Sequence, residues 1–123
     1  MSSRSITMYG IPNCDTVKKA RTWLDENNIS FHFHNFKKDG LDAQAIQTWL
    51  QSSELAILIN RKGTTWRALD DANKAKAEQT DSAIELMMSQ PSVIKRPVLV
   101  ITKDGQTRVH VGFTADLYQA LFL

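Results

Sequence analysis

The chain has 123 residues, 42% of them hydrophobic and 23% charged, with a formal net charge of +2. That length suits one domain with a sizeable core, and so slight a cationic excess argues by itself neither for nor against nucleic acid. No apolar run approaches the roughly 20 residues of a membrane span, and a single cysteine excludes an internal disulfide framework.

In chain order, Met1-Ser2-Ser3-Arg4-Ser5 leads into an apolar stretch too short for a secretory signal. Together with the lone cysteine this gives the expectation of a reducing, cytoplasmic setting with no membrane partner. Ile6-Thr7-Met8-Tyr9 is rich in strand formers and stops at Gly10, with Pro12 beyond it. This predicts a strand, then a turn. From Asp15 the period changes: Val17, Ala20 and Leu24 fall on one helical face, while Lys18, Lys19, Arg21 and Asp25 fall on others. That helix is expected to end near Asn27-Asn28. Residues 31–36 alternate aromatic and polar, which predicts a half-buried second strand parallel to the first.

Residues 37–91 carry helical patterns and no convincing strand. Asp42 is expected to cap a helix with Ile46, Trp49 and Leu50 on it. Leu55–Ile59 reads as a short helical turn, and Thr65 as the cap of a turn holding Trp66 and Leu69. Lys74–Glu78 favours helix, and Asp81 is expected to cap another with Ile84, Met87 and Met88 on one face. Val98-Leu99-Val100-Ile101 is the continuous β-branched run of a central strand, and Lys103-Asp104-Gly105 turns it into a hairpin with 107–111. Thr114 then caps a last helix with Leu117, Ala120 and Leu121 on its apolar face. The order β-α-β, helical middle, β-β-α predicts a thioredoxin-like α/β fold. It would be a mixed four-stranded sheet, with a core from 1–36 and 92–123 and a helical insertion over about 37–91.

The chemistry centres on Cys14. A lone cysteine is often a small buried hydrophobe, but this one stands in Gly10-Ile11-Pro12-Asn13-Cys14-Asp15, between a strand and a helix. Its sulfur is expected beside unpaired helix amides at the positive end of the macrodipole. An anion there gains about 0.3–1 kcal/mol. That favours the thiolate, which is the nucleophile. Lys18, one turn on, adds to the effect and Asp15 opposes it. Position 17 is valine, so there is no Cys-x-x-Cys, and a second thiol must come from outside. Arg96-Pro97 precedes the central strand, where a proline belongs at the strand start, and Arg96 can present a guanidinium to an anion.

Three blocks carry a family resemblance: Tyr9 through Arg21, Ile59 through Arg67, and Lys95-Arg96-Pro97-Val98-Leu99. Val111-Gly112-Phe113 followed by a helix also fits. In these blocks the chain resembles the arsenate reductase-like family of ArsC, Spx and YffB-type proteins, with the YffB branch the nearest. The resemblance implies that Cys14 is the nucleophile, that Pro97 is cis, and that Arg61 and Arg96 approach the thiol. It further implies a glutathione-dependent monothiol reductase, with no bound cofactor and glutathione as co-substrate. Asn13, Lys18 and Pro97 are the residues expected to hold that substrate. Two other readings stay open: arsenate reduction at the same sulfur, and a regulator that binds the RNA polymerase α-subunit without turnover. The third arginine of the arsenate reductases falls near Val111-Gly112-Phe113, where this chain has none, and that weighs against arsenate. Val17 removes the two-cysteine switch common among Spx regulators.

The other clusters read blandly. His32 and His34 share a strand face without a third ligand at matching spacing, so a solvated face is expected. Trp49 and Trp66 are expected in the core. The small basic cluster of Lys18, Lys19 and Arg21 reads as a solvated helix face or as an attractor of glutathione carboxylates, and no direct nucleic-acid contact is expected.

Overall fold

Strand β1 (Arg4–Gly10) is one of the two inner strands of a four-stranded sheet. The computed structural model describes residues 4–123. They divide into two units: residues 4–39 with Arg96–Leu123, and Gly40–Lys95.

In the first unit α1 (Asp15–Glu26) leads to β2 (His32–Asn35), which pairs parallel with β1. After the second unit, β3 (Val98–Lys103) pairs antiparallel with β1, and β4 (Gln106–Val111) antiparallel with β3. The sheet order is β2-β1-β3-β4, so the β-branched run of β3 is central, as its sequence predicts. The hairpin turns on Asp104 and Gly105, both at positive φ (55° and 78°). Asp and Gly tolerate that left-handed geometry better than most residues. Side chains alternate across the sheet, so the register puts Ile6, Met8, Leu99, Ile101 and Phe33 on one face. Val17, Ala20 and Leu24 of α1 are fully buried in the same cluster. This is the 3.6-residue stripe read from the sequence. On the other face the Tyr9 and His34 rings lie 4.7 Å apart.

Helix α8 (Ala115–Phe122) closes this unit, and the Thr114 hydroxyl caps it by accepting from the Leu117 amide at 3.0 Å. The expected face needs correction: Ala120 is exposed, and Tyr118 is the fully buried residue. Its ring meets Trp23, Phe113 and Phe122 edge-on at 5.7, 4.6 and 6.0 Å. The Tyr118 hydroxyl is buried with no hydrogen-bond partner among the described residues, and burial pushes its ionisation far above the usual phenol range.

The second strand also ends one residue earlier than its alternation suggests. Phe36 is buried but opens a helical turn, α2 (Phe36–Asp39). The cause is Asn35, whose side-chain oxygen accepts from the Lys37 amide at 3.0 Å while its own amide donates to Asp39. Such local side-chain bonds offer the backbone an alternative to the strand ladder.

The second unit holds α3 (Ala43–Leu50), α4 (Leu55–Leu58), α5 (Thr64–Ala68), α6 (Asp71–Ala75) and α7 (Thr80–Ser89), with 3₁₀ turns at Lys76–Glu78 and Pro91–Val93. Asp42 caps α3 as expected, accepting from the Ala45 amide at 2.9 Å. Trp49 and Trp66 are buried. Thr65 is not a cap: the chain folds back earlier at Asn60, whose oxygens receive the Lys62 and Gly63 amides at 3.2 Å each, and Gly63 takes the cap position. Asp81 lies inside the first turn of α7, because the helix is entered directly from the preceding 3₁₀ turn with Gln79 at the cap. Met88 is 40% exposed, so the buried face is Ala83, Ile84, Leu86 and Met87. Ile59 and Ile94 form an isolated antiparallel bridge. No helix among the described residues is long and apolar enough to cross a membrane.

The orphaned Tyr118 hydroxyl gives a first expectation. Tyr118→Phe keeps the ring contacts and removes a buried unpaired group, so urea unfolding should show unchanged or higher stability, by up to about 1–2 kcal/mol. Thr114→Ala, which removes a cap, should cost about 1 kcal/mol in the same measurement. His110 on β4 gives a second. Burial, and then the Arg108 charge, hold its imidazole below the usual 6.5. As pH falls through 6.5 the unfolded chain takes up the proton first, so stability declines until the folded-state value is passed. Unfolding of His110→Gln, followed across that range, should show a smaller acid loss than the parent chain.

Candidate active site

The turn between β1 and α1 is built by what its residues refuse to do. Gly10 ends the strand, and a Cβ added there would stand 2.9 Å from a Val17 methyl. Only a residue without a side chain lets the strand end pass so close to the first turn of α1. Pro12 and Asn13 carry the chain across, Asn13 exposed. The Cys14 amide donates to the Ile11 carbonyl at 3.2 Å, and the Cys14 carbonyl accepts from the Lys18 amide at 2.9 Å, the first hydrogen bond of the helix.

Cys14 is thus the cap residue of α1, with extended backbone angles (φ −92°, ψ 125°). Ser, Thr, Asp or Asn at this place would bond a first-turn amide through a side-chain oxygen. Here no side-chain bond is made. The sulfur stands half-buried at the end of the helix where the amides are unsatisfied, packed on one side against the sheet-and-helix core. Lys18, exposed on the next turn, adds a positive charge to the same helix end.

Arg96 and Pro97 begin the second stretch of this unit. Their peptide bond is cis, as the resemblance implies. Pro97 is buried and its carbonyl accepts from the Gly112 amide at 2.8 Å. Arg96 is half-buried, its Nε fully so. Arg61 belongs to the other unit, where it is exposed and its guanidinium lies 5.0 Å over the Trp66 ring. Cys14, Asn13, Lys18, Arg96 and Pro97 therefore share one unit, and Arg61 does not. Where the arsenate reductases carry their third arginine, Gly112 stands at φ +85° and Phe113 packs on Tyr118. Arg108 lies in β4, opposite Ile101. No cluster of three or more metal-ligating side chains occurs among the described residues.

The clearance at Gly10 is the site feature that sequence reading missed. Its signal was available: a glycine at a strand end, seven residues before a buried valine of the next helix.

A mixed four-stranded sheet, a cysteine-bearing turn after β1 and a cis-proline before β3 define a thioredoxin-like α/β protein. The chain belongs to the ArsC family, whose model matches residues 9–121. A solved YffB protein superposes with a TM-score of 0.85 at 44% identity, covering 97% of this chain and 100% of its own. An arsenate reductase (ArsC) related protein from Brucella melitensis is 46% identical with a TM-score of 0.71, over 96% of this chain and 94% of that one. The global transcriptional regulator Spx 2 of Lactococcus lactis is 30% identical over 118 residues, 94% of this chain and 84% of the regulator.

Gly10→Ala tests the geometry of the turn. Val17 is β-branched and fully buried, so the added methyl forces backbone movement, and urea unfolding should show a loss of about 1–3 kcal/mol. The rate of Cys14 alkylation should change with it, because the same turn places the sulfur.

Proposed function

We propose that the protein is a monothiol oxidoreductase that acts on glutathione mixed disulfides, with Cys14 as nucleophile. The Cys14 thiolate attacks the glutathione sulfur of a mixed disulfide. A Cys14–glutathione disulfide forms and the substrate leaves as its thiolate. The thiolate of a second glutathione attacks the bound glutathione sulfur, which restores Cys14 and releases oxidised glutathione. In the net exchange one free glutathione is consumed, the substrate is released as its thiol, and its glutathionyl group leaves within oxidised glutathione. The observation that supports this reading is the sulfur at the cap of α1, in the place where a capping side chain would bond the first-turn amides and Cys14 makes no such bond. Arg96 is assigned to the developing anion, with Asn13, Lys18 and Pro97 along the bound tripeptide.

The likeness to an Spx regulator supports a second reading, a binding protein for the RNA polymerase α-subunit. The two part cleanly: polymerase binding without turnover survives Cys14→Ser, whereas thiol exchange does not.

After treatment with oxidised glutathione, intact-mass spectrometry should find one adduct on the parent chain and none on Cys14→Ser. Arg96→Ala should slow adduct formation roughly tenfold, the worth of one charge-assisted contact. A parent chain that stays unmodified, with a slowly alkylated Cys14, would refute the proposal.

A further inference from the structure

At the opposite end of β1 from the Cys14 turn, about 20 Å along a seven-residue strand, lies a second concavity of about 300 Å³. It is built wholly within the first unit. The register explains its make-up: Arg4 is opposite Lys103, Ile101 is opposite both Ile6 and Arg108, and Leu99 is opposite His110. All these side chains share the sheet face on which α8 packs, so the basic residues run on from the end of the core. Leu121 and Phe122 of α8 complete the wall with Ile101.

Three features single this concavity out. Arg4, Lys103 and Arg108 are three fixed cations against one carboxylate, Asp104. The charge and the apolar wall are in contact, since the Arg4 guanidinium lies 5.2 Å over the Phe122 ring. A low-dielectric wall beside clustered charge of one sign focuses the field on an anion. The third feature is His110, which lines the same concavity and whose Nε2 is buried without a hydrogen-bond partner among the described residues. Buried polar atoms are nearly always paired, and since Nε2 has no accessible surface as it stands, a ligand atom meets it only when the ring turns toward the concavity.

We infer that this concavity binds a small organic carboxylate with an aryl or alkyl body. The carboxylate is held by Arg108, and by His110 Nε2 once its ring has turned toward the concavity, and the body rests on Ile101, Leu121 and Phe122. Arginine's planar fork matches a carboxylate, and the volume stands at the small end of the range for ligand sites. The apolar wall favours such a molecule over an inorganic anion, which would leave that wall wet. The assignment is independent of the proposed thiol chemistry.

Amide-shift NMR with 3-phenylpropionate as the probe tests it, with acetate and inorganic phosphate alongside. Saturable shifts confined to the start of β1, β3, β4 and the end of α8, half-complete at about 1 mM or below, are expected. Arg108→Glu, at an exposed position, should weaken binding at least about tenfold and leave Cys14 alkylation unchanged. Absence of saturable shifts, equal binding by Arg108→Glu, or phosphate or acetate binding as tightly as the probe would overturn the inference.

Discussion

The close approach of β1 to the first turn of α1 governs the arrangement of the first unit. Gly10 and Val17 meet where a Cβ would not fit, and Val17, Ala20 and Leu24 then bury completely against Ile6 and Met8. Each fully buried aliphatic side chain contributes about 1.5–3 kcal/mol. The stripe therefore holds the helix in one rotational setting, and that setting decides what Cys14 sees. Its amide and carbonyl are taken up by Ile11 and Lys18, so the sulfur alone remains uncommitted. Stability and reactivity are set at the same turn by different atoms of the same few residues.

The two ends of β1 serve different chemistry. At its C-terminal end the backbone is tight and β2 pairs beside it. At its N-terminal end the sheet is β1, β3 and β4 alone, and alternate residues bring Arg4, Lys103, Arg108 and His110 onto one face. Between them lies the aromatic cluster of Trp23, Phe113, Tyr118 and Phe122. Tyr118 does this packing at the expense of its hydroxyl, which has lost water and found no partner among the described residues.

Much of this was legible in the sequence because two periods dominate it. The 3.6-residue stripe of α1 and the β-branched run of β3 each announce their burial, and the Gly/Pro/Asn turn announces Cys14. The errors came where a single side chain overrode the local pattern. Asn35 bent Phe36 out of the strand, and Asn60 moved the start of α5 ahead of Thr65. Tyr118 was passed over for Ala120, although Leu117, Tyr118, Leu121 and Phe122 form a coherent apolar patch at helical spacing. At the site, the environment of Arg96 depends on residues distant in sequence, and no local window contains them. The anionic-ligand concavity was missed for the same reason: its cations come from three strands, and only the register assembles them.

The burial of Val17 has a chemical corollary. In a two-cysteine active site the partner sulfur occupies this position, one helical turn from the first, and the pair together holds two electrons as an internal bond. Here that position faces the interior with no exposed surface, in a chain with one cysteine. Cys14 therefore has no sulfur in its own chain with which to close a disulfide. On the proposed reading, any disulfide it forms carries a group from another molecule, and the occupancy of that sulfur mirrors the thiols of its surroundings one adduct at a time.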